Sequence, residues 1–139
     1  MFSKILIASD GSEGAGRALS AAIGLAKQQG AELHMICVEE LPRFPTSVDE
    51  VVEEQIDQEH RYAPVVMSAK AQAQAEGVAL RPHVLPGHAV PTICDFVESE
   101  RVDLLVVGYM GHSALYNRLI GSTTDRLVEH AACTVLVVK

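Results

Sequence analysis

Short apolar runs alternate along the chain with longer segments in which apolar residues recur at helical spacing. The four helical segments are amphipathic, which is typical of helices that cover a sheet. The alternation predicts an α/β fold: a single-domain, doubly wound five-stranded parallel sheet with helices on both faces, extending over residues 1–139. The predicted strands are Lys4–Ala8, Leu33–Val38, Val78–Leu85, Leu104–Val107 and Thr134–Val138.

Serine, glycine and proline mark where these elements begin and end. Ser12 is placed to cap the first helix, whose apolar stripe stops at Gly30. Pro64 is expected to kink or split the second helix, because proline has no N–H and crowds the preceding turn. Pro82 interrupts the third predicted strand, which places that strand at an edge of the sheet. The acidic run Asp49–Glu59 is interpreted as a solvated helix face, with a partner-binding surface as the alternative.

The ends of the predicted strands indicate where a ligand would bind. In a doubly wound sheet, ligands lie at the carboxyl ends of the strands, where the winding reverses direction. Three segments follow strand ends: Ala8–Ser12, Val38–Leu41 and the glycine-rich stretch after Val107. These segments converge if the first and fourth strands are neighbours, and the sequence therefore predicts one site on the carboxyl edge of the sheet.

The glycine-rich stretch has the character of a phosphate site. Gly108 and Gly111 follow a strand, where glycine permits positive φ and a close approach of the backbone to a ligand. Gly121 precedes the last helix, and a helix N-terminus offers free N–H groups and partial positive charge to an anion. Of the two hydroxyls of Ser122 and Thr123, one is expected to cap the helix and the other to contact a phosphate.

Charge and composition narrow the classes of ligand and partner. The formal net charge of −7 argues against binding to nucleic acids or anionic membranes, because phosphate-rich surfaces attract basic faces. No apolar run approaches the ~18 residues of a membrane span and no signal peptide is recognisable, so we expect a cytoplasmic location. Cys37, Cys94 and Cys133 are widely spaced in apolar segments, and we interpret them as small buried hydrophobic residues.

With these residues the chain resembles the universal stress protein superfamily and its ATP-binding subgroup. The spacing Gly108-x2-Gly111-x9-Gly121-Ser122 matches the nucleotide-binding signature of that subgroup. Supporting matches cover nearly the whole chain, in Ile5–Ser12, Asp103–Gly108 and Ala132–Val138. The resemblance implies an adenine nucleotide alpha hydrolase-like fold.

The resemblance also implies roles for individual positions. Asp10 would lie near the ribose and the phosphates, in some members through Mg²⁺, while Ala8 and the backbone of Val38 would hold the adenine. The glycines would wrap the ribose and the phosphates, which Ser122 and Thr123 would also contact. The candidate nucleotide-binding residues are Ala8, Ser9, Asp10, Val38, Gly108, Met110, Gly111, His112, Gly121, Ser122 and Thr123.

The chain departs from the family pattern at two places. Tyr109 and Met110 stand between the first two glycines, where members often carry serine or threonine followed by histidine or arginine. Ala8 stands where proline or valine is common. Neither departure changes the glycine spacing, so nucleotide binding is still expected.

Several polar residues admit two interpretations. Asp10 is expected to contact ligand, with capping of the first helix as the alternative. His112 and Arg118 either reach phosphates or face solvent. His83 and His88 are interpreted as structural or solvent-facing residues, because no further histidine or cysteine stands at metal-ligand spacing.

The sequence favours a nucleotide-binding regulatory protein of the stress response over an enzyme. Ser113 lacks a Gly-x-Ser-x-Gly context, no Gly-x4-Gly-Lys-Ser/Thr loop is present and no general base is recognisable. A slow Mg²⁺-dependent ATPase remains the enzymatic alternative. A nucleotide-free interaction module is the other, and it is favoured if Tyr109 and Met110 fill the cleft. A phosphorylation receiver is excluded, because Leu85 stands where the acceptor aspartate should be.

The last predicted strand suggests how the chain assembles. Thr134–Val138 is apolar and lies at the chain terminus, and an unprotected edge of this kind invites pairing with another chain. The family resemblance implies a homodimer in which two copies of this strand pair antiparallel across a two-fold axis.

Overall fold

Five parallel strands form one sheet, in the order third, second, first, fourth, fifth. The structure is a computed structural model and describes residues 1–41, 48–109 and 121–139. The strands are β1 (Lys4–Ala8), β2 (Glu32–Glu40), β3 (Leu80–Gly87), β4 (Leu104–Gly108) and β5 (Thr134–Val138). The helices are α1 (Glu13–Gln29), α2 (Val48–Ala75), α3 (Ala89–Ser99) and α4 (Ser122–His130). The predicted fold class is confirmed.

Successive residues of the central strands face opposite layers of helix. In β1, Ile5 and Ile7 belong to a core shared with α1 and α2, whereas Leu6 belongs to a core shared with α3 and α4. All three side chains are fully buried, as expected for a parallel strand covered on both faces. This double burial explains why the strands appear in the sequence as continuous apolar runs rather than as alternating patterns.

The pairing of β1 with β4 creates the point where the winding reverses. From β1 the chain first adds β2 and β3 on one side, then returns to add β4 and β5 on the other. Ile7 lies beside Met35 of β2 and beside Val106 of β4, so three strand ends meet at one part of the sheet edge. The first and fourth strands are neighbours, which is the condition under which the three predicted segments converge.

The predicted boundary signals mostly hold. The hydroxyl of Ser12 accepts from the backbone N–H of Ala15 at 3.2 Å, and Gly30 ends α1 with φ of +65°. β3 lies at an edge, as Pro82 predicted. α2 continues through Pro64, so of the two expected outcomes, a kink or a split, the split does not occur. Pro64 is exposed, and the next turns are held on the sheet by residues such as the buried Ala69, which outweighs the loss of one hydrogen bond.

Candidate functional site

A cavity of about 320 Å³ lies over the carboxyl ends of β1, β2 and β4. Eight of the candidate nucleotide-binding residues line it: Ala8, Ser9, Asp10, Val38, Gly108, Gly121, Ser122 and Thr123. The other three, Met110, Gly111 and His112, lie outside the described residues, as do Ser113 and Arg118. The structure thus brings together every predicted site residue that it describes.

The floor of the cavity is apolar. Ala8, Ile36, Val38 and Val107 supply it from the ends of three adjacent strands, and Ile93 closes it from α3. A flat surface of aliphatic side chains suits a planar ring, because burying the ring removes apolar area from water without leaving polar groups unpaired.

Asp10 lies in the turn that leads from β1 into α1. Its carboxylate accepts from the backbone N–H of Ser12 at 2.9 Å, while Ser12 supplies the side-chain cap of α1. Gly11 allows this sharp turn with φ of +80°. The carboxylate that lines the cavity is therefore fixed in place by the turn, and capping of α1 falls to Ser12.

The N-terminus of α3 also faces the cavity, and a carboxylate already occupies it. Glu40 accepts from the backbone N–H of Ala89 at 3.0 Å, and its second oxygen lies 3.5 Å from Nδ1 of His88. The negative charge of Glu40 offsets the positive end of the helix dipole. An anionic ligand would therefore be repelled from this helix end.

The N-terminus of α4 is different. Gly121 is its N-cap, with φ of −66° and ψ of 146°, and makes no side-chain capping bond. The prediction that Ser122 or Thr123 caps the helix is wrong, because Gly121 accepts the first helical bond, from Asp125, and the helix starts at Ser122. Among the described residues, no side chain accepts from the first turn of α4, so its N–H groups can bind an anion.

Thr124 fixes α4 against the sheet. This residue is buried, and its hydroxyl donates to the carbonyl oxygen of Gly108 at 2.7 Å. Ser122 and Thr123, which precede it, are exposed and line the cavity. The first turn of α4 is thus anchored by Thr124 and presents the two preceding hydroxyls, of Ser122 and Thr123, to the cavity.

The reason for glycine at position 108 is a close contact inside the protein. Gly108 does not adopt positive φ. A Cβ placed there would lie 2.9 Å from both the carbonyl carbon and the oxygen of Gly14 in α1. The sequence predicted a close approach at this glycine, but to a ligand; the structure shows that the neighbour is the backbone of α1.

α2 contributes a wall that the sequence analysis did not find. Arg61 and Tyr62 both line the cavity, and the Arg61 guanidinium lies 5.5 Å from the centre of the Tyr62 ring. Tyr62 is buried, which raises the pKa of its phenol. Nothing in the sequence near these residues distinguishes them from an ordinary helix face, and their role becomes visible only when α2 packs on the sheet.

Tyr109 does not fill the cleft. Its N–H donates to the carbonyl of Val138 at 2.8 Å, and its ring lies 5.5 Å from the ammonium group of Lys139. Tyr109 is absent from the cavity lining. A nucleotide-free module is favoured if both Tyr109 and Met110 fill the cleft, and Tyr109 does not. Met110 lies outside the described residues.

The described side chains include no activated thiol and no metal cluster. Burial, together with the charge of Asp10, raises the pKa of Cys37 to about 12. Burial likewise raises the pKa values of Cys94 and Cys133, so all three thiols remain protonated near neutral pH.

In residues 1–41, 48–109 and 121–139, no three histidine, cysteine, aspartate or glutamate side chains converge on a point where they could hold a metal ion. Nor is any helix in these ranges both long and apolar enough to cross a membrane.

Comparison with known proteins identifies similar chains over the full length. The model of the universal stress protein family matches residues 1–139. A universal stress protein of Methanocaldococcus jannaschii is 33% identical over 143 residues, which cover 100% of this chain and 83% of the relative. The solved structure of UspA from Lactobacillus plantarum superposes with a TM-score of 0.89 at 27% identity, covering 99% of this chain and 98% of that chain.

Two further structures of this fold contain nucleotides. A universal stress protein solved in complex with cAMP has a TM-score of 0.78 at 22% identity, covering 99% of this chain and 97% of that chain. A universal stress protein family member from Arabidopsis thaliana, with AMP bound, has a TM-score of 0.69 at 18% identity and covers 99% and 91%. At these identities the likeness shows a shared fold.

Proposed function

This chain belongs to the universal stress protein family, and from that premise we propose that it is a regulatory module controlled by a bound adenine nucleotide. The observation that carries the proposal is the cavity at the strand ends, which joins an apolar floor to one helix N-terminus that can bind an anion. The cAMP and AMP complexes of proteins with the same fold support adenine as the base.

The apolar floor and the anion-binding end of α4 would determine the orientation of the nucleotide. The adenine would lie on the apolar floor near Ala8 and Val38, and the phosphates would lie at the first turn of α4, near Ser122 and Thr123. Placing the phosphates at α3 instead would bring them against the carboxylate of Glu40. We propose ATP as the principal ligand, from the glycine spacing, with AMP as the alternative.

Asp10 suits the region between base and phosphates. Its carboxylate would accept from ribose hydroxyls or hold Mg²⁺ that accompanies a polyphosphate, because magnesium prefers carboxylate and phosphate oxygens. The bound nucleotide would then contact β1, β2 and α4 together. Ligand binding to the folded state alone would stabilise that arrangement by about 2.7 kcal/mol at a hundredfold excess over Kd.

Calorimetric titration of nucleotide-stripped protein tests this function. We expect binding of ATP, ADP or AMP in the micromolar range, and binding of CTP that is about tenfold weaker or more, because the smaller base covers less of the apolar floor. Ala89→Trp, which places a large side chain at the cavity wall, should abolish binding. Ala71→Trp, on the exposed face of α2, is the matched control and should bind normally. Absence of binding by the stripped wild type would refute the proposal.

We also propose that the chain forms a homodimer through β5. This strand pairs with β4 on one side and lies at the edge of the sheet, and its Leu136 is 37% exposed. A half-exposed apolar edge of this kind favours antiparallel pairing with a second copy of Thr134–Val138.

Sedimentation velocity at micromolar concentration should therefore show a dimer. Leu136→Lys introduces a charge at the proposed interface and should shift the protein to a monomer. Met67→Lys is the matched control, because Met67 is a more exposed apolar residue, at 72%, on the distant helix α2. A monomeric wild type, or equal dissociation by both variants, would contradict dimerisation through β5.

A further inference from the structure

Two histidines pair within the layer between the sheet and α3. Nδ1 of His34, on β2, lies 2.9 Å from Nε2 of His83, on β3. Their rings meet edge to edge and are nearly parallel, with centroids 5.2 Å apart and planes inclined by 16°. Phe96 of α3 packs against both, at 4.7 Å from the His83 ring and 6.3 Å from the His34 ring. Only 5% of His34 is exposed, whereas His83, on the edge strand, is half-buried.

The pair can keep its hydrogen bond only by holding one proton between Nδ1 of His34 and Nε2 of His83. Nε2 of His34 is buried and has no hydrogen-bond partner among the described residues. The neutral form that suits this site carries protons on the two Nδ1 atoms, because an unpaired nitrogen lone pair is tolerated more readily than a buried, unpaired N–H.

Addition of one more proton makes this neutral arrangement impossible. If the pair keeps its bond, two arrangements of three protons are possible, and both place an N–H on Nε2 of His34. That N–H would point to a buried position without an acceptor. The two remaining arrangements set two N–H groups against each other across 2.9 Å and break the pair. Acid must therefore destabilise the contact between β2, β3 and α3.

The surrounding charges relieve this cost only in part, because Glu32 raises the pKa of His34 and Glu100 raises that of His83, whereas Arg81 lowers both. The groups that act on the pair are Lys4 on β1, Glu32 on β2, Arg81 on β3 and Glu100 beyond α3. Glu32 is engaged in ion pairs with Arg81 at 2.6 Å and with Lys4 at 3.8 Å. Burial is the main cause that lowers the pKa of both histidines, and the neighbouring His83 lowers the pKa of His34 further.

Two of these three elements, β2 and α3, form part of the wall of the proposed nucleotide cavity. β2 carries Ile36 and Val38 to the cavity floor, and α3 carries Ile93 to it one turn before Phe96. β3 leads directly into the N-terminus of α3, which Glu40 holds through Ala89. A separation of β2 from α3 at the histidine pair would therefore distort the surface that receives the base.

We propose that the hydrogen-bonded His34–His83 pair is an acid-sensitive clamp that keeps β2, β3 and α3 together and weakens nucleotide binding when it takes up a proton. The effect on nucleotide binding rests on the proposed function, whereas the effect on stability does not. A histidine whose pKa is lowered on folding contributes full stability above its unfolded value of 6.5, and that contribution is lost as the pH falls below 6.5.

Three measurements on the full chain test the clamp between pH 7.5 and pH 5.0. NMR titration of the histidine ring protons in the wild type should give pKa values for His34 and His83 below 6.5, the ordinary value for histidine. The urea concentration at the midpoint of unfolding should fall as the pH is lowered. The Kd for adenosine should rise about threefold or more; adenosine is used because no phosphate of its own titrates in this range.

The double variant His34→Phe, His83→Phe removes both titrating groups and keeps aromatic rings beside Phe96. Its unfolding midpoint and adenosine affinity should vary with pH much less than those of the wild type. His130→Gln, on the exposed end of α4, should behave as the wild type. Normal histidine pKa values, or an equal pH dependence in the double variant, would overturn the clamp.

The two proposals fail in distinguishable ways. Wild-type protein that loses stability in acid but binds no adenine nucleotide at any pH refutes the proposed function and supports the clamp as a structural switch. Adenosine affinity that stays constant while stability falls overturns the coupling to the site.

Discussion

A Gly108→Ala variant is expected to lose about 2–3 kcal/mol of unfolding free energy, although it adds only one methyl group. The new Cβ would lie 2.9 Å from the carbonyl carbon and oxygen of Gly14 and 3.3 Å from the nitrogen of Ala15. All three atoms belong to the backbone of α1, which is itself packed on β1 and β4, so no flexible side chain can move aside. The end of β4 must shift instead.

Thermal unfolding of Gly108→Ala should show a melting temperature lower by roughly 7–10 °C for a chain of this size. Gly24→Ala is the matched control. Gly24 is an exposed residue within α1, and a Cβ there meets nothing within 4 Å. The same substitution at this site should stabilise the protein by about 1 kcal/mol, because alanine favours the helix.

Changes of opposite sign in the unfolding free energy of the two variants would show that the limited space around Gly108 makes glycine necessary there. Gly108→Ala should also weaken nucleotide binding, because the displaced strand end lines the cavity and accepts the Thr124 hydrogen bond. A Gly108→Ala protein as stable as the wild type would contradict the packing contact.

A Thr123→Asp variant should raise the unfolding free energy and lower the affinity for ATP. Thr123 is exposed in the first turn of α4, where no described side chain caps the helix. A carboxylate there would interact favourably with the helix N-terminus and stabilise the protein by about 0.3–1 kcal/mol. The same carboxylate would occupy the proposed phosphate site, as Glu40 occupies the N-terminus of α3.

The expected loss of ATP affinity is about a hundredfold or more. Two like charges about 4 Å apart near a protein surface repel by about 4 kcal/mol, and a hundredfold loss requires only about 2.7 kcal/mol. Adenosine, which has no phosphate, should bind Thr123→Asp about as well as it binds the wild type. Thr123→Asn is the control, because it changes the shape of the side chain without adding charge.

Calorimetric titration of ATP and adenosine into these variants locates the phosphate. If ATP and adenosine lose affinity equally in Thr123→Asp, the phosphate does not lie at α4. Equal losses in the Asp and Asn variants would indicate a steric effect. Urea unfolding of the same proteins should show Thr123→Asp to be at least as stable as the wild type.

The alternation of apolar runs and helical stripes by itself determined the five strands and the helices between them. Such signals are local, because a strand buried on both faces requires an unbroken apolar run and a helix repeats its apolar face every three or four residues. Ser12 and Gly30 marked the ends of α1 for the same reason: caps act within a few positions along the chain.

Tertiary structure alone decided which groups meet across the sheet. The His34–His83 pair and the Glu40–Ala89 bond each join residues 49 positions apart, a separation set by the register of β2 and β3. No pattern within one segment encodes such a partner. The contact of Gly108 with Gly14 and the arrival of Tyr62 at the cavity likewise depend on how helices pack on the finished sheet. The sequence located the edge of the sheet where the cavity lies, and packing determined which helix end at that edge can receive an anion.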